Sequence, residues 1–301
     1  MRPSMIIHGG AGSGKYGSDD PRFEGLKRAA EDGMAALKKG SSLDGVEAAV
    51  VSMEQSGLFN AGRGACLTAD GRVQLDAAIM GGAGLKGAGV GAVTSTYSAV
   101  SLARWVMENT NHVLLVGPYA ADAARAAGLK AEQLKESDHA AKRFAELRSK
   151  PTGKLSKNLE VLAKMQEGNT VGAVAIDSDG VPAAAVSTGG MWLKLPGRVG
   201  DSAVLGAGIY ADKKTGAACA TGTGEEIIKN VLSWRACEFM GRSAAPLAAR
   251  RAISVISKRS GRDTAGIITI DRKGRLGFAY NTEAMGRAWY DNARGRVLVQ
   301  I

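Results

Sequence analysis

Residues able to do chemistry are sparse in this chain of 301 residues, and their spacing removes several chemistries at once. The three histidines, His8, His112 and His139, lie in no H-E-x-x-H or Cys/His cluster, so a zinc site has no ligand set. His139 falls in the polar helical stretch "ESDHAAKRF" and reads as a surface residue. No G-x-S-x-G elbow is present, so a nucleophile here is not expected to be activated by histidine. The cysteines, Cys66, Cys219 and Cys237, are far apart and odd in number; they read as small buried hydrophobes in a reducing, cytoplasmic setting. Gly9, Gly14 and Lys15 satisfy the G-x-x-x-x-G-K spacing of a nucleotide-binding P-loop. Tyr16, however, stands where Mg²⁺ needs a Ser or Thr hydroxyl. The next helix starts only near Pro21, with Asp19 or Asp20 as N-cap, too late to point at phosphates.

The most informative position is Asn169-Thr170, where a polar segment gives way to the apolar run "TVGAVAID". A Thr hydroxyl alone is a poor nucleophile, because nothing nearby takes its proton. Cutting the chain before it would supply an α-amine as base, with a reference pKa of about 7.7–8.0. From this stretch alone Thr170 reads better as the ordinary first residue of a strand, a place Thr favours.

The elements that must position these residues follow from hydrophobic spacing. Met5 to Ile7 make a short strand, a helix runs from near Pro21 to Gly40, and a second covers about Leu43 to Gln55. "ACLTADGRVQLDAA" reads as a hairpin about Asp70-Gly71, "SLARWVMEN" as a helix and "HVLLVG" as a buried strand. From Pro118 to Glu167 Ala, Lys, Glu and Arg dominate, and this is the expected flexible segment. Beyond Thr170 come a strand pair, "TVGAVAID" and "VPAAAVSTGG", two long helices, "GEEIIKNVLSWRACEFMGR" and "APLAARRAISVISKRS", and a β-rich end. Strands and helices in separate runs imply a layered α+β fold rather than a regular βαβ winding, as one large domain or two small ones.

Taken together, "NTVGAVAIDSDG", "STGGMWLKLPGRVGDSAVLGAGIYAD" and "ATGTGEEI" resemble the plant-type asparaginase/isoaspartyl peptidase family of N-terminal-nucleophile (Ntn) hydrolases. "IIHGGAGS", "LFNAGRGACLT", "LDAAIMGG" and "FAYNTEAMGRAW" fit the same family in the same order, leaving only residues near 130–168 unmatched. The resemblance implies a single domain, a four-layer αββα sandwich made as a precursor that cuts itself at Asn169-Thr170. The products would be an α chain, 1–169, and a β chain, 170–301, with 130–168 as a flexible linker, pairing as (αβ)₂. It implies hydrolysis of the side-chain amide of L-asparagine and of β-aspartyl (isoaspartyl) dipeptides.

Site roles carried over with the resemblance fall on specific residues. Thr170 would supply the nucleophile and base, Thr188 would hydrogen-bond it, and Asn60 would support it. Thr221 and the Gly222 N–H would form the oxyanion hole, and Gly224 would line the ligand. Arg198 would grip an α-carboxylate and Asp201 an α-ammonium. Carbonyls of Met53, Glu54, Ser56, Phe59, Ala61 and Arg63 would ligate a structural Na⁺; no organic cofactor is implied. The chain departs from the family at Asn169, where Gly is usual, and at Ala284 and Gly286, where Gly and an aromatic are usual. Asn tolerates left-handed backbone angles, so self-cleavage stays open to it.

The alternatives are a glycosylasparaginase, a taspase-like Ntn hydrolase, an uncut non-catalytic binding homologue and a P-loop nucleotide binder. Net charge is +10, but the basic residues are dispersed among acidic ones and aromatics are only 5%, so no nucleic-acid platform is expected. No apolar stretch is long enough to span a bilayer.

Overall fold

Every strand that reaches the centre of this molecule is apolar on both faces, and the structure shows why. The computed structural model describes residues 1–12, 17, 19–149 and 170–301. Among them β1 (Ser4–Gly12), β2 (Leu75–Gly81), β3 (Gly87–Val93), β4 (Leu114–Val116), β5 (Val171–Ile176), β6 (Pro182–Thr188), β11 (Ala284–Asp291) and β12 (Arg296–Gln300) form one sheet, in the order β12-β11-β1-β5-β6-β2-β3-β4. A second sheet, β10-β9-β8-β7, comprises β7 (Ile209–Asp212), β8 (Gly216–Gly222), β9 (Ala265–Asp271) and β10 (Leu276–Tyr280).

Helices α1 (Pro21–Lys39), α2 (Ser42–Ser56) and α3 (Ala99–Asn109) cover the outer face of the large sheet. On the outer face of the small one lie α7 (Leu232–Met240) and α8 (Ala245–Ser260), with α6 (Gly224–Asn230) beside them. The four layers give three apolar interfaces. Along β5, Val171, Ala173 and Ala175 pack toward α1–α3, while Val174 and Ile176 pack between the sheets. Alternation with period two therefore persists, but both faces are dry. The small sheet meets its helices through residues such as Ile227, Leu232, Ile256 and Ile267. The αββα sandwich implied by the sequence is the architecture observed.

Local chemistry sets the element ends. Asp20 accepts from the Arg22 N–H ahead of Pro21, and Ser41 and Asp44 form a capping box at the start of α2. Gly9, Gly10 and Gly12 belong to β1, so the glycines lie in sheet rather than around a phosphate, and Lys15 and Tyr16 lie outside the described residues.

Three expectations need correction. The segment "HVLLVG" is not buried: β4 is an edge strand of three residues, and Val113, Leu114 and Val116 are about half exposed. The helix expected over 224–242 is broken at Val231, which adopts a left-handed conformation (φ 46°, ψ 53°). The break turns the first amides of α7 onto the 206–207 loop, where Ser233 and Trp234 donate to the carbonyls of Ala207 and Gly206. The hairpin at Asp70-Gly71 reduces to a tight turn with one bridge, Leu67 to Val73: the Thr68 N–H donates to the Arg72 carbonyl at 2.9 Å, while the Leu67 carbonyl and the Ala69 N–H are taken by Leu193 and Lys194 of a neighbouring segment. Within the segment expected to be flexible, α4 (Ala120–Ala126) and α5 (Asp138–Ser149) are helical, with Ala140 and Leu147 buried. Residues 150–168 of the expected linker, and Asn169 with them, lie outside the described residues.

Candidate active site

Side-chain parity brings the chemistry to one place. On β5 the even-numbered residues face the space between the sheets, as Val174 and Ile176 do, so Thr170 at the head of the strand faces it too. On β6, Val186 faces inward and Thr188 follows two residues on. On β8, Cys219 faces inward and Thr221 follows two residues on. The antiparallel β5–β6 register pairs Val171 with Ser187, which sets Thr170 opposite Thr188. Their hydroxyls meet at 3.1 Å, and Thr188 Oγ1 also accepts from the Gly190 N–H at 2.9 Å. Both residues are buried.

The loop before β2 supports this pair. Asn60 Nδ2 donates to the Gly190 carbonyl at 2.7 Å, its Oδ1 accepts from the Cys66 N–H at 2.8 Å, and its carbonyl accepts from the Gly189 N–H at 2.9 Å. A Cβ on Gly189 would overlap Asn60 Oδ1, so glycine is required there for the close approach. Cys66 Sγ lies 3.4 Å from the carbonyls of Gly189 and Gly190, and burial pushes its thiol up to about 11, so it stays protonated.

Thr221 is fully buried, and its Oγ1 has no hydrogen-bond partner among the described residues. A buried hydroxyl left unsatisfied is costly, and it marks a donor free for a group that arrives later. Gly222 follows at φ +137°, and a Cβ there would overlap the Thr264 carbonyl, so the turn needs glycine. Gly224 opens α6; a Cβ on it would stand 2.7 Å from Arg198 Nη2 and 2.9 Å from Asp201 Oδ1. Arg198, Asp201 and the β8–α6 turn are therefore one cluster.

Arg198 forks onto Oε1 of Glu225, from Nε at 2.9 Å and Nη2 at 2.8 Å, so its guanidinium already holds a carboxylate. Asp201 is buried, and its Oδ2 has no partner among the described residues. Burial pushes its carboxyl up to about 7, against the pull of the nearby Arg198 charge.

Sequence reasoning passed over several residues that the fold delivers to this end of the sandwich. His8 is fully buried; its Nδ1 accepts from the Gly10 N–H at 3.3 Å, which puts the proton on Nε2, 3.3 Å from Cys219 Sγ. Burial pushes the imidazole down to about 3, opposed by a hydrogen bond to the Thr170 backbone, so it is a neutral support and not a base. Asp76 and Lys194 are both buried, 3.9 Å apart. Glu54 Oε1 accepts from Ser187 Oγ at 2.6 Å and from the Val100 N–H at 3.2 Å, and burial pushes its carboxyl up to about 8. The available signal was a charge inside an apolar run, as in "VQLDAAIM" for Asp76 and "VVSMEQS" for Glu54.

Met53, Glu54 and Ser56 lie in the last turn of α2, where carbonyls lack backbone partners within the helix and a helix favours a cation; the Met53 carbonyl accepts from Ser56 Oγ at 2.8 Å, which leaves it one lone pair. The loop closes back on that end: a Cβ on Gly62 (φ +52°) would overlap the Glu54 carbonyl, and one on Gly64 the Phe59 carbonyl. The Phe59 and Ala61 carbonyls each accept one backbone N–H, from Ala61 and Gly64, which leaves a lone pair on each. Arg63 turns its side chain outward, to Gln55 Oε1 at 3.0 Å. Such an all-oxygen set fits a hard cation.

Comparison with known proteins supplies the family. Residues 1–299 match the family model described as asparaginase. The chain is 45% identical over 293 residues to the plant-type L-asparaginase of Pyrobaculum calidifontis, covering 95% of this chain and 96% of that protein. It is 38% identical over 296 residues to the isoaspartyl peptidase of Escherichia coli, covering 95% and 92%. To the isoaspartyl peptidase/L-asparaginase of Danio rerio it is 36% identical over 305 residues, covering 99% and 94%.

Proposed function

The chain belongs to the asparaginase family, and on that premise we propose that it hydrolyses the side-chain amide of L-asparagine and the β-aspartyl bond of isoaspartyl dipeptides, with Thr170 as nucleophile. The observation that carries this reading is the Thr170–Thr188 hydroxyl pair at 3.1 Å, together with the unsatisfied Thr221 hydroxyl on the inner face of β8.

The nucleophile must first be released. Thr170 Oγ attacks the Asn169 carbonyl, the Asn169–Thr170 peptide C–N bond breaks, and an ester forms with a free α-amine on Thr170. Water then cleaves the ester, giving chains 1–169 and 170–301. In turnover that amine takes the proton from Oγ, which attacks the side-chain amide carbon of the substrate. Thr221 Oγ1 and the Gly222 N–H face the oxyanion, ammonia leaves with the proton held by the amine, and water resolves the β-aspartyl ester. Both substrates carry a free α-amine for Asp201 and a free α-carboxylate for Arg198. The carboxylate of Glu225 is the group that the incoming one would replace.

Na⁺ bound by the carbonyls of Met53, Glu54, Ser56, Phe59, Ala61 and Arg63 would brace the loop that carries Asn60; it supplies no step of the chemistry. Three buried free cysteines suit a reducing compartment, and among the described residues no helix is long and apolar enough to cross a membrane. Assembly as (αβ)₂ is the family expectation, checked by sedimentation of the cleaved protein. The test of the reading is ammonia release from L-asparagine and aspartate release from β-aspartyl dipeptides by the purified protein. Thr170→Ala is expected to abolish both activities; an active Thr170→Ala protein would contradict it.

A further inference from the structure

Arg198 and Asp201 sit on a long connection between β6 and β7, yet two catalytic distances depend on where that connection lies. The residue immediately before each of them is tied down by a side chain from one short stretch, Gln74 to Asp76, at the head of β2. Gln74 Oε1 accepts from the Gly197 N–H at 2.8 Å, next to Arg198. Asp76 Oδ2 accepts from the Gly200 N–H at 2.9 Å, next to Asp201, while its Oδ1 accepts from the Ala92 N–H at 2.9 Å in the same sheet. Lys194, itself in that connection and only 1% exposed, reaches back so that Nζ donates to the Gln74 carbonyl at 2.9 Å. Its charge stands 3.9 Å from Asp76 Oδ2, with both side chains fully buried. Asp76 is in register with Thr188 across the β2–β6 pair, so the same stretch is also fixed to the nucleophile pair.

We propose that Gln74, Asp76 and Lys194 form a buried brace that positions the Arg198/Asp201 clamp relative to Thr170 and Thr188. They are positioning residues that set substrate affinity and touch no substrate. A buried Lys and a buried Asp are each costly to keep charged, and a pair at 3.9 Å without a direct hydrogen bond recovers little. The brace therefore belongs to the placement of the loop more than to the stability of the sheet. It rests on the hydrolase reading above and names the part of the fold that gives that site its grip on the α-amino and α-carboxylate groups.

The test uses the Gly197 anchor, because Gln74→Met removes it without leaving a buried charge unpaired. Gln74→Met keeps the length of the side chain and removes the acceptor; Gln74→Glu keeps the acceptor. For Gln74→Met, the KM for L-asparagine is expected to rise by about tenfold with kcat within about twofold of the parent, the size of one lost hydrogen bond. Gln74→Glu is expected to restore the parent KM to within about threefold. An intact-mass spectrum should show self-cleavage to the same extent in all three proteins. If Gln74→Met fails to fold, Gln74→Ala repeats the measurement. An unchanged KM, a fall in kcat alone, or a Gln74→Glu protein as impaired as Gln74→Met would overturn the brace. A parent protein that releases no ammonia would sink the hydrolase reading instead.

Discussion

At the scale of single residues, the site is a set of groups each held in one protonation state by burial. Cys66 and Cys219 stay thiols because burial raises both, and His8 stays neutral because burial lowers it. Asp201 is the exception with a consequence. Its carboxyl, raised to about 7 by burial, would have to be ionised to hold the α-ammonium of the proposed substrate. The KM for L-asparagine is therefore expected to rise as pH falls through about 7, approaching about tenfold per unit on the acid side. Steady-state kinetics from pH 5 to 9 check this, and a KM flat down to pH 5 would contradict it. Thr170, Thr188, Thr221, Arg198 and Asp201 could be named as candidates from the sequence because they sit in long motifs in fixed order. Glu225 was not, since nothing in a charge beside "ATGTG" says that it will occupy Arg198. Nor were Gln74 and Lys194, whose partners are backbone amides and a carbonyl more than a hundred residues away.

Among elements, strand parity and helix ends were readable and breaks were not. Asp20, Pro21 and Gly40 mark α1 because caps are local chemistry. Val231 carries no such mark: a β-branched residue in a left-handed conformation is unfavourable locally, and only the docking of α7 on the 206–207 loop imposes it. The edge strand β4 looked buried because a run of Val and Leu says nothing about how many neighbours the strand will have. The end of α2 is where an element-level prediction belongs. Replacing Na⁺ by tetramethylammonium at constant ionic strength is expected to lower Tm by several degrees, on the order of 1–2 kcal/mol of lost ligand binding. Gly62→Ala, whose Cβ would overlap the Glu54 carbonyl, is expected to lower Tm and to abolish the dependence on Na⁺. Melting curves in both salts check it; an identical Tm would remove the cation from the account.

For the whole molecule, three dry interfaces between four layers leave ionisable groups buried between the layers, and folding is linked to their protons. His8 takes a proton near 6.5 when unfolded but only near 3 when folded, so its contribution is complete above 6.5 and is lost as pH falls toward 3. Glu54 and Asp201 are raised to about 8 and 7 and act in the opposite sense, stabilising the fold as pH drops below those values. Comparison with His8→Gln separates the two. Between pH 6.5 and 4.5 the parent is expected to lose about 2 kcal/mol more than the variant, read from urea midpoints. Equal losses would contradict the buried neutral imidazole. The layered architecture was legible because separate runs of strands and helices admit few packings, and the family motifs narrowed them to one. Release of Thr170 as an N-terminus is tested most directly by an intact mass spectrum of the purified protein, denatured after warm incubation. Two masses are expected, matching residues 1–169 and 170–301. A single uncut mass persisting for days would contradict that release.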